Sequence, residues 1–196
     1  MSRMPRIFID GMTQHVIQRG NNRSDIFKSV ADYEMFSDCL QEASIRCGFR
    51  IHAYVLMTNH FHVMATGETA GSIPRAMQAI GRRYVPYFNR RYSRTGTLFE
   101  GRYRSILLGD ERYWYACLRY VEMNPVRAGL VETPDLYRWS SYRAHALGIR
   151  NAVLTEHPLY LRLGETAPQR ELCWRIICAN DKGQTLCQSA TGSDPH

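Results

Sequence analysis

The order of apolar patterns along the chain predicts an α+β protein, an antiparallel sheet with helices packed on one face. Three observations carry that expectation. Strand-like apolar runs alternate with longer segments of helical spacing, in the order β-α-β-β-α-β-α. Two of the runs, "FRIHAYVLM" (49–57) and "HFHVMAT" (60–66), are separated only by Thr58 and Asn59, which predicts a hairpin. Stop signals also fall where helical stripes end, with Gly48 after one and Pro125 at the end of another.

Each element follows from its residues. "HVIQRG" (15–20) reads as the first strand, closed by the turn-forming "GNNRS". In "SVADYEMFSDCLQEASIRCG", Tyr33, Phe36, Leu40, Ala43 and Cys47 share one helical stripe, and Gly48 ends it. The hairpin 49–66 comes next. "SIPRAMQAIGRRYVPYFNRRY" (72–92) predicts a basic helix, kinked or broken at Pro86. "TGTLFEGRYRSILL" (95–108) predicts a further strand pair or one bent strand. "DERYWYACLRYVEMNP" (110–125) predicts a helix with Asp110 as N-cap, Pro125 at its end, and Trp114, Cys117, Leu118 and Val121 facing the core.

The character of the chain changes after residue 148. A domain over 1–148 and an extension over 149–196 are expected. In the extension "ETAPQRELCWRIICAN" forms an amphipathic helix, and "DKGQTLCQSATGSDPH" is frayed and disordered. With 196 residues the chain can bury one full core, and no internal repeat interrupts it.

Composition narrows the function. Hydrophobic residues make up 44%, no apolar run approaches the ~20 residues of a membrane span, and "MSRMPRIFIDGM" lacks the apolar core of a signal peptide. A cytoplasmic protein without a membrane partner is the expectation. Net charge is +7, and of the 25 basic residues only Lys28 and Lys182 are lysine. A G+C-rich genome would favour arginine equally well, but it would not cluster it. Ten arginines lie from Arg75 to Arg119 against Glu100, Asp110 and Glu111, interleaved with Tyr84, Tyr87, Phe88, Tyr92 and Tyr103. That mixture suits a polyanion carrying stackable bases. The six cysteines form no CxxC pair, which argues against a zinc finger, and Cys39, Cys47 and Cys117 read as buried thiols.

"MTNHFHVM" (57–64) is the most informative stretch. In a strand His60 and His62 point to one face and Phe61 and Val63 to the other. Such a pair either grips a metal or lines a wet sheet face. A helical residue and its i+4 neighbour share a face, and of the twelve tyrosines only Tyr120 has Asn or Gln at i+4, Asn124. Tyr120 is either a nucleophile beside a metal or a half-buried core tyrosine. His15 is either a core histidine or a neighbour of the site. "NPVRAGL" reads as chiefly architectural.

"HVIQRGNNR", "VLMTNHFHVM", "GTLFEGRYRS", "RYVEMNPVRAGLV" and "WSSYRAHALG" together, in this order and spacing, resemble the REP-associated tyrosine transposases, a group of single-tyrosine HUH transposases. The resemblance spans roughly residues 5 to 148. It implies a ferredoxin-like antiparallel sheet with helices, and cleavage and transfer of single-stranded DNA beside a REP-like palindromic hairpin. It further implies Tyr120 as nucleophile through a 5′-phosphotyrosine, with His60, His62 and Asn124 as ligands of Mg²⁺ or Mn²⁺. Arg19, Arg82, Arg83, Arg102 and Arg104 are the expected DNA contacts, and the protein acts as a monomer or homodimer. A domesticated hairpin-binding protein without strand transfer is the alternative.

Overall fold

The computed structural model describes residue 9 and residues 11–179. The expected frayed end, "DKGQTLCQSATGSDPH", lies outside the described residues.

β1 (Thr13–Arg19) leads through a 3₁₀ turn to α1 (Val30–Cys47). The helix starts where the Asp32 carboxylate accepts the Lys28 and Ser29 backbone N–H groups at 2.8 and 2.9 Å, two donors that no helical carbonyl could reach. It stops at Gly48, whose φ of +60° puts the chain in the left-handed region that a side chain disfavours. β2 (Phe49–Leu56) and β3 (His60–Gly67) then form the expected hairpin, with Met57 N–H donating to the His60 carbonyl across the turn. α2 (Ser72–Arg91) runs through Pro86 unbroken. The residue is exposed, so the Arg82 carbonyl that its missing N–H leaves unbonded sits on the wet side of the helix.

Between 95 and 108 only β4 (Arg104–Leu107) is a strand, with one isolated bridge from Phe99 to Gly20. Positive φ at Gly96 and Gly101 turns the backbone away from continuous pairing, so the expected strand pair reduces to a short edge. α3 (Glu111–Glu122) is capped by the Asp110 carboxylate, which accepts Tyr113 N–H at 2.8 Å. It ends earlier than expected. Met123 forms a junction, and α4 (Asn124–Arg127) begins anew, because Pro125 has no N–H to extend the α3 ladder.

The sheet order is β2-β3-β1-β4, every neighbouring pair antiparallel. The helices cover both faces, not one. α1 and α2 bury Phe36, Leu40, Tyr84 and Phe88 against Val16, Ile51, Phe61 and Val63. On the other face α3 meets Val55 and Met64 with Trp114, Cys117, Leu118 and Val121. The physical reason is that β2 and β3 are buried on both faces along almost their whole length, so a single helical layer would leave one of those faces in water. Cys39 and Cys117 are buried as expected, whereas Cys47 is only half-buried.

The chain beyond 140 closes this second face. α5 (Tyr142–Leu147), α6 (Pro158–Leu161) and α7 (Ala167–Ala179) pack there, and Trp174 is fully buried among α3 residues. Its indole N–H donates to the buried Glu122 carboxylate at 2.7 Å, which also accepts from the Ser141 hydroxyl at 2.5 Å and meets His145 Nδ1 at 2.6 Å. Arg119 donates to the last carbonyls of α7, Ile177 and Cys178.

A second tie runs through a β-bulge at His52, which lets both His52 and Ala53 oppose Met64. Leu159 N–H donates to His157 Nδ1, so His157 Nε2–H donates to the Thr13 hydroxyl. Thr13 then donates to Thr66 and Thr66 to His52 Nε2, while His52 Nδ1–H donates to the Thr155 carbonyl. Among the described residues no helix is long and apolar enough to cross a membrane.

Candidate active site

The site lies on the sheet face covered by α3. Cross-strand pairing sets its rows, because residues paired across an antiparallel sheet project to the same side. Arg19 pairs with His60, Ile17 pairs with both His62 and Arg104, and His15 pairs with Met64. His15, His60, His62, Arg19 and Arg104 therefore share a face.

The imidazoles of His60 and His62 lie with centroids 5.0 Å apart, nearly perpendicular. His62 stacks on His15 at 5.0 Å, and His62 Nδ1 is 2.8 Å from His15 Nε2. His60 Nδ1–H donates to the Asn59 side-chain oxygen at 2.6 Å. The Tyr120 ring, delivered by α3, stands edge-on to His62 at 5.6 Å and to His15 at 6.1 Å. The Arg127 guanidinium, from α4, covers the Tyr120 ring at 4.8 Å.

Electrostatics keep the buried imidazoles neutral. Burial pushes His15 down to about 3. It holds His62 well below the ordinary histidine value, with smaller contributions from His15, His60, Arg19 and Arg127. A neutral imidazole retains the lone pair that a cation needs. Among the described residues no three of His, Cys, Asp and Glu gather into a metal cage.

The expected site residues divide into two groups. His60, His62 and Tyr120 come together, with Arg19 and Arg104 on the same face. Asn124 is buried at the head of α4, four residues beyond Tyr120 across the Met123 junction. Arg102 is exposed in the loop before β4. Arg82 and Arg83 stand apart, exposed on α2, whose layer covers the opposite sheet face, and Arg83 pairs with Glu42. Two further residues against Tyr120 were not among the site residues expected from the sequence. Arg127 sits in the "NPVRAGL" stretch that reads as architecture. His15 comes beside His62 through strand register, which aligns the two diagonally.

Comparison with known proteins fits this geometry. The family profile described as "Transposase IS200 like" matches residues 9–124, more than half of the chain. No curated protein matches. A solved structure of a REP-associated tyrosine transposase bound to a REP hairpin is similar in fold, with a TM-score of 0.63 and 18% sequence identity. The alignment covers 80% of this chain and 93% of that one. The profile takes in the histidine strand, the arginine-rich helix, all of α3 and Asn124, and on that match the chain belongs to the IS200-like, single-tyrosine HUH transposase family.

Proposed function

We propose that the protein is a metal-dependent endonuclease and strand transferase that cuts single-stranded DNA beside a REP-like hairpin through Tyr120. The observation that carries this reading is the meeting of the Tyr120 ring with the His62 and His15 imidazoles, from elements far apart in sequence. The hairpin substrate is extended from the solved relative, which is bound to one.

In this reading the Tyr120 oxygen attacks the scissile phosphorus. The bond from phosphorus to the 3′ oxygen breaks, leaving a free 3′ hydroxyl and a 5′-phosphotyrosine. The covalent link stores the bond energy, so rejoining needs no nucleotide cofactor. His60, His62 and Asn124 would hold Mg²⁺ or Mn²⁺. The residues fit such an ion, because two imidazoles and an amide oxygen form a nitrogen and oxygen donor set without thiolate. When bound, the cation polarises the phosphate and compensates its developing charge.

Arg19 and Arg104, on the histidine face, are the phosphate contacts we favour, with Arg102 beside them. Arg104 is two strands from His62, roughly 10 Å at ordinary strand spacing, about one to two nucleotides along a strand. Arg82 and Arg83 would touch only DNA that reaches the α2 layer. The order β2-β3-β1-β4 with two β-α-β crossings is read as ferredoxin-like. Residues 1–148 are assigned to the catalytic domain and 149–196 to its extension, in a cytoplasmic monomer or homodimer.

The test is covalent capture. Labelled single-stranded hairpin DNA with Mn²⁺ is expected to yield a protein–DNA adduct that maps to Tyr120. Tyr120→Phe keeps fold and hairpin binding but loses adduct and cleavage, whereas Tyr113→Phe keeps the adduct. Cleavage by Tyr120→Phe would point to hydrolysis by water. Binding without an adduct in the unaltered protein would leave a hairpin-binding protein.

A further inference from the structure

His15 is the least explained histidine of the site. It is fully buried, and its Nδ1 meets no hydrogen-bond partner among the described residues. Leaving a buried polar nitrogen unmet costs about 1–3 kcal/mol, which an aliphatic residue at the same strand position would avoid. Neighbouring core positions on this face are aliphatic or thioether, Val55 and Met64 among them. The polar purpose of His15 must therefore lie at its other nitrogen, Nε2, 2.8 Å from His62 Nδ1.

One proton lies between these two nitrogens, and its position decides what His62 can do. If His15 Nε2 carries it, His62 Nδ1 accepts, and neutral His62 has its remaining hydrogen on Nε2. That nitrogen then has no lone pair for a cation. If His62 Nδ1 carries it and His15 Nε2 accepts, His62 Nε2 is bare and can ligate. Stacking of the two rings at an interplanar angle of 24° leaves His62 little room to turn and present Nδ1 instead. His60 has the corresponding arrangement, with its Nδ1–H donated to the Asn59 oxygen. The outer partners of metal-bound histidines commonly fix ring and tautomer in this way.

We propose that His15 is a positioning residue for the metal site: by accepting the Nδ1–H of His62 it holds that ring in the orientation and tautomer in which Nε2 faces the cation. The proposal rests on the assignment of His60 and His62 as metal ligands. It gives β1 a part in the site that none of its expected contacts supplies.

The experiment measures Mn²⁺ binding directly, by loss of the free-ion paramagnetic resonance signal, on the full chain without DNA. His62→Ala is expected to abolish binding. His15→Leu, close in size and unable to accept, is expected to weaken it 10–100-fold. His15→Gln, whose amide oxygen can stand in for Nε2, is expected to recover most of that loss. Wild-type affinity in His15→Leu overturns the proposal while the metal site stands. Equal loss in folded Leu and Gln variants overturns it too, because packing would then be the cause. If His62→Ala binds as the wild type does, or the wild type binds no Mn²⁺, the metal assignment falls and the proposal with it. Nitrogen-15 spectra of the histidines read the same point without a substitution. His62 is expected as the Nδ1–H tautomer with Mg²⁺ bound, and an Nε2–H signal there overturns the proposal.

Discussion

Replacing Trp174 with phenylalanine tests whether the extension is part of the fold. The indole is fully buried, and its N–H is one of three groups around the Glu122 carboxylate. Phenylalanine removes the donor and leaves the carboxylate oxygen without it. Loss of a hydrogen bond to a charged group costs about 1.5–3 kcal/mol. The smaller ring leaves a void worth roughly another 1 kcal/mol. A total of about 3 kcal/mol corresponds to a fall in Tm of about 6–12 °C for a domain of this size. Melting followed by circular dichroism gives the shift. Combining Trp174→Phe with Glu122→Gln gives the coupling, expected to be at least about 1 kcal/mol for partners in direct contact. A Tm within about 2 °C of wild type, or strict additivity, would refute the reasoning. It would show that α7 rests on α3 without bearing on its stability.

Other outcomes follow from the same geometry. His60→Ala and His62→Ala are each expected to lose cleavage while keeping most hairpin affinity, because phosphate contacts supply it; full cleavage in excess EDTA would contradict this. Neutralising Arg19 and Arg104 together is expected to flatten the slope of log affinity against log salt by about one to two units. The Arg82 and Arg83 pair is expected to change it less, and the reverse ranking would move the DNA to the α2 face. Burial pushes His52 down to about 3, below the ordinary 6.5 of the unfolded chain. Its contribution is therefore complete above pH 6.5 and is lost as pH falls from there towards 3, reaching about 2 kcal/mol at pH 5. His52→Gln should flatten the stability profile between pH 7 and 5 by that amount, and an unchanged profile would refute the assignment.

Local signals in the sequence carried furthest where the physics is local. Gly48 and Asp110 mark helix ends because their chemistry acts within one turn, and Thr58-Asn59 marks the hairpin for the same reason. The i+4 relation of Tyr120 and Asn124 is legible as spacing, although the junction at Met123 divides the helix that it assumed. Facing is harder. Arg82 and Arg83 belong to a dense basic run, yet which side of the sheet α2 covers depends on the crossover, not on the run. His15 joins His62 through pairing between distant strands, which no short stretch encodes. Trp174 read only as part of an amphipathic helix, since its partner Glu122 lies on another element.

The hydrogen-bond series through His157, Thr13, Thr66 and His52 begins at Leu159 N–H, in the first turn of α6, and ends at the Thr155 carbonyl, four residues earlier in the loop that leads into it. Its members come from β1, β2 and β3, so the loop is laced through three strands and fastened back to itself. Each hydroxyl both gives and receives, and the two backbone ends dictate the direction throughout. No member can reverse alone. Thr13→Val would unlace the whole series, stranding a donor on His157 and freeing Thr66 to turn away from His52. The harm should then exceed what one missing hydroxyl suggests.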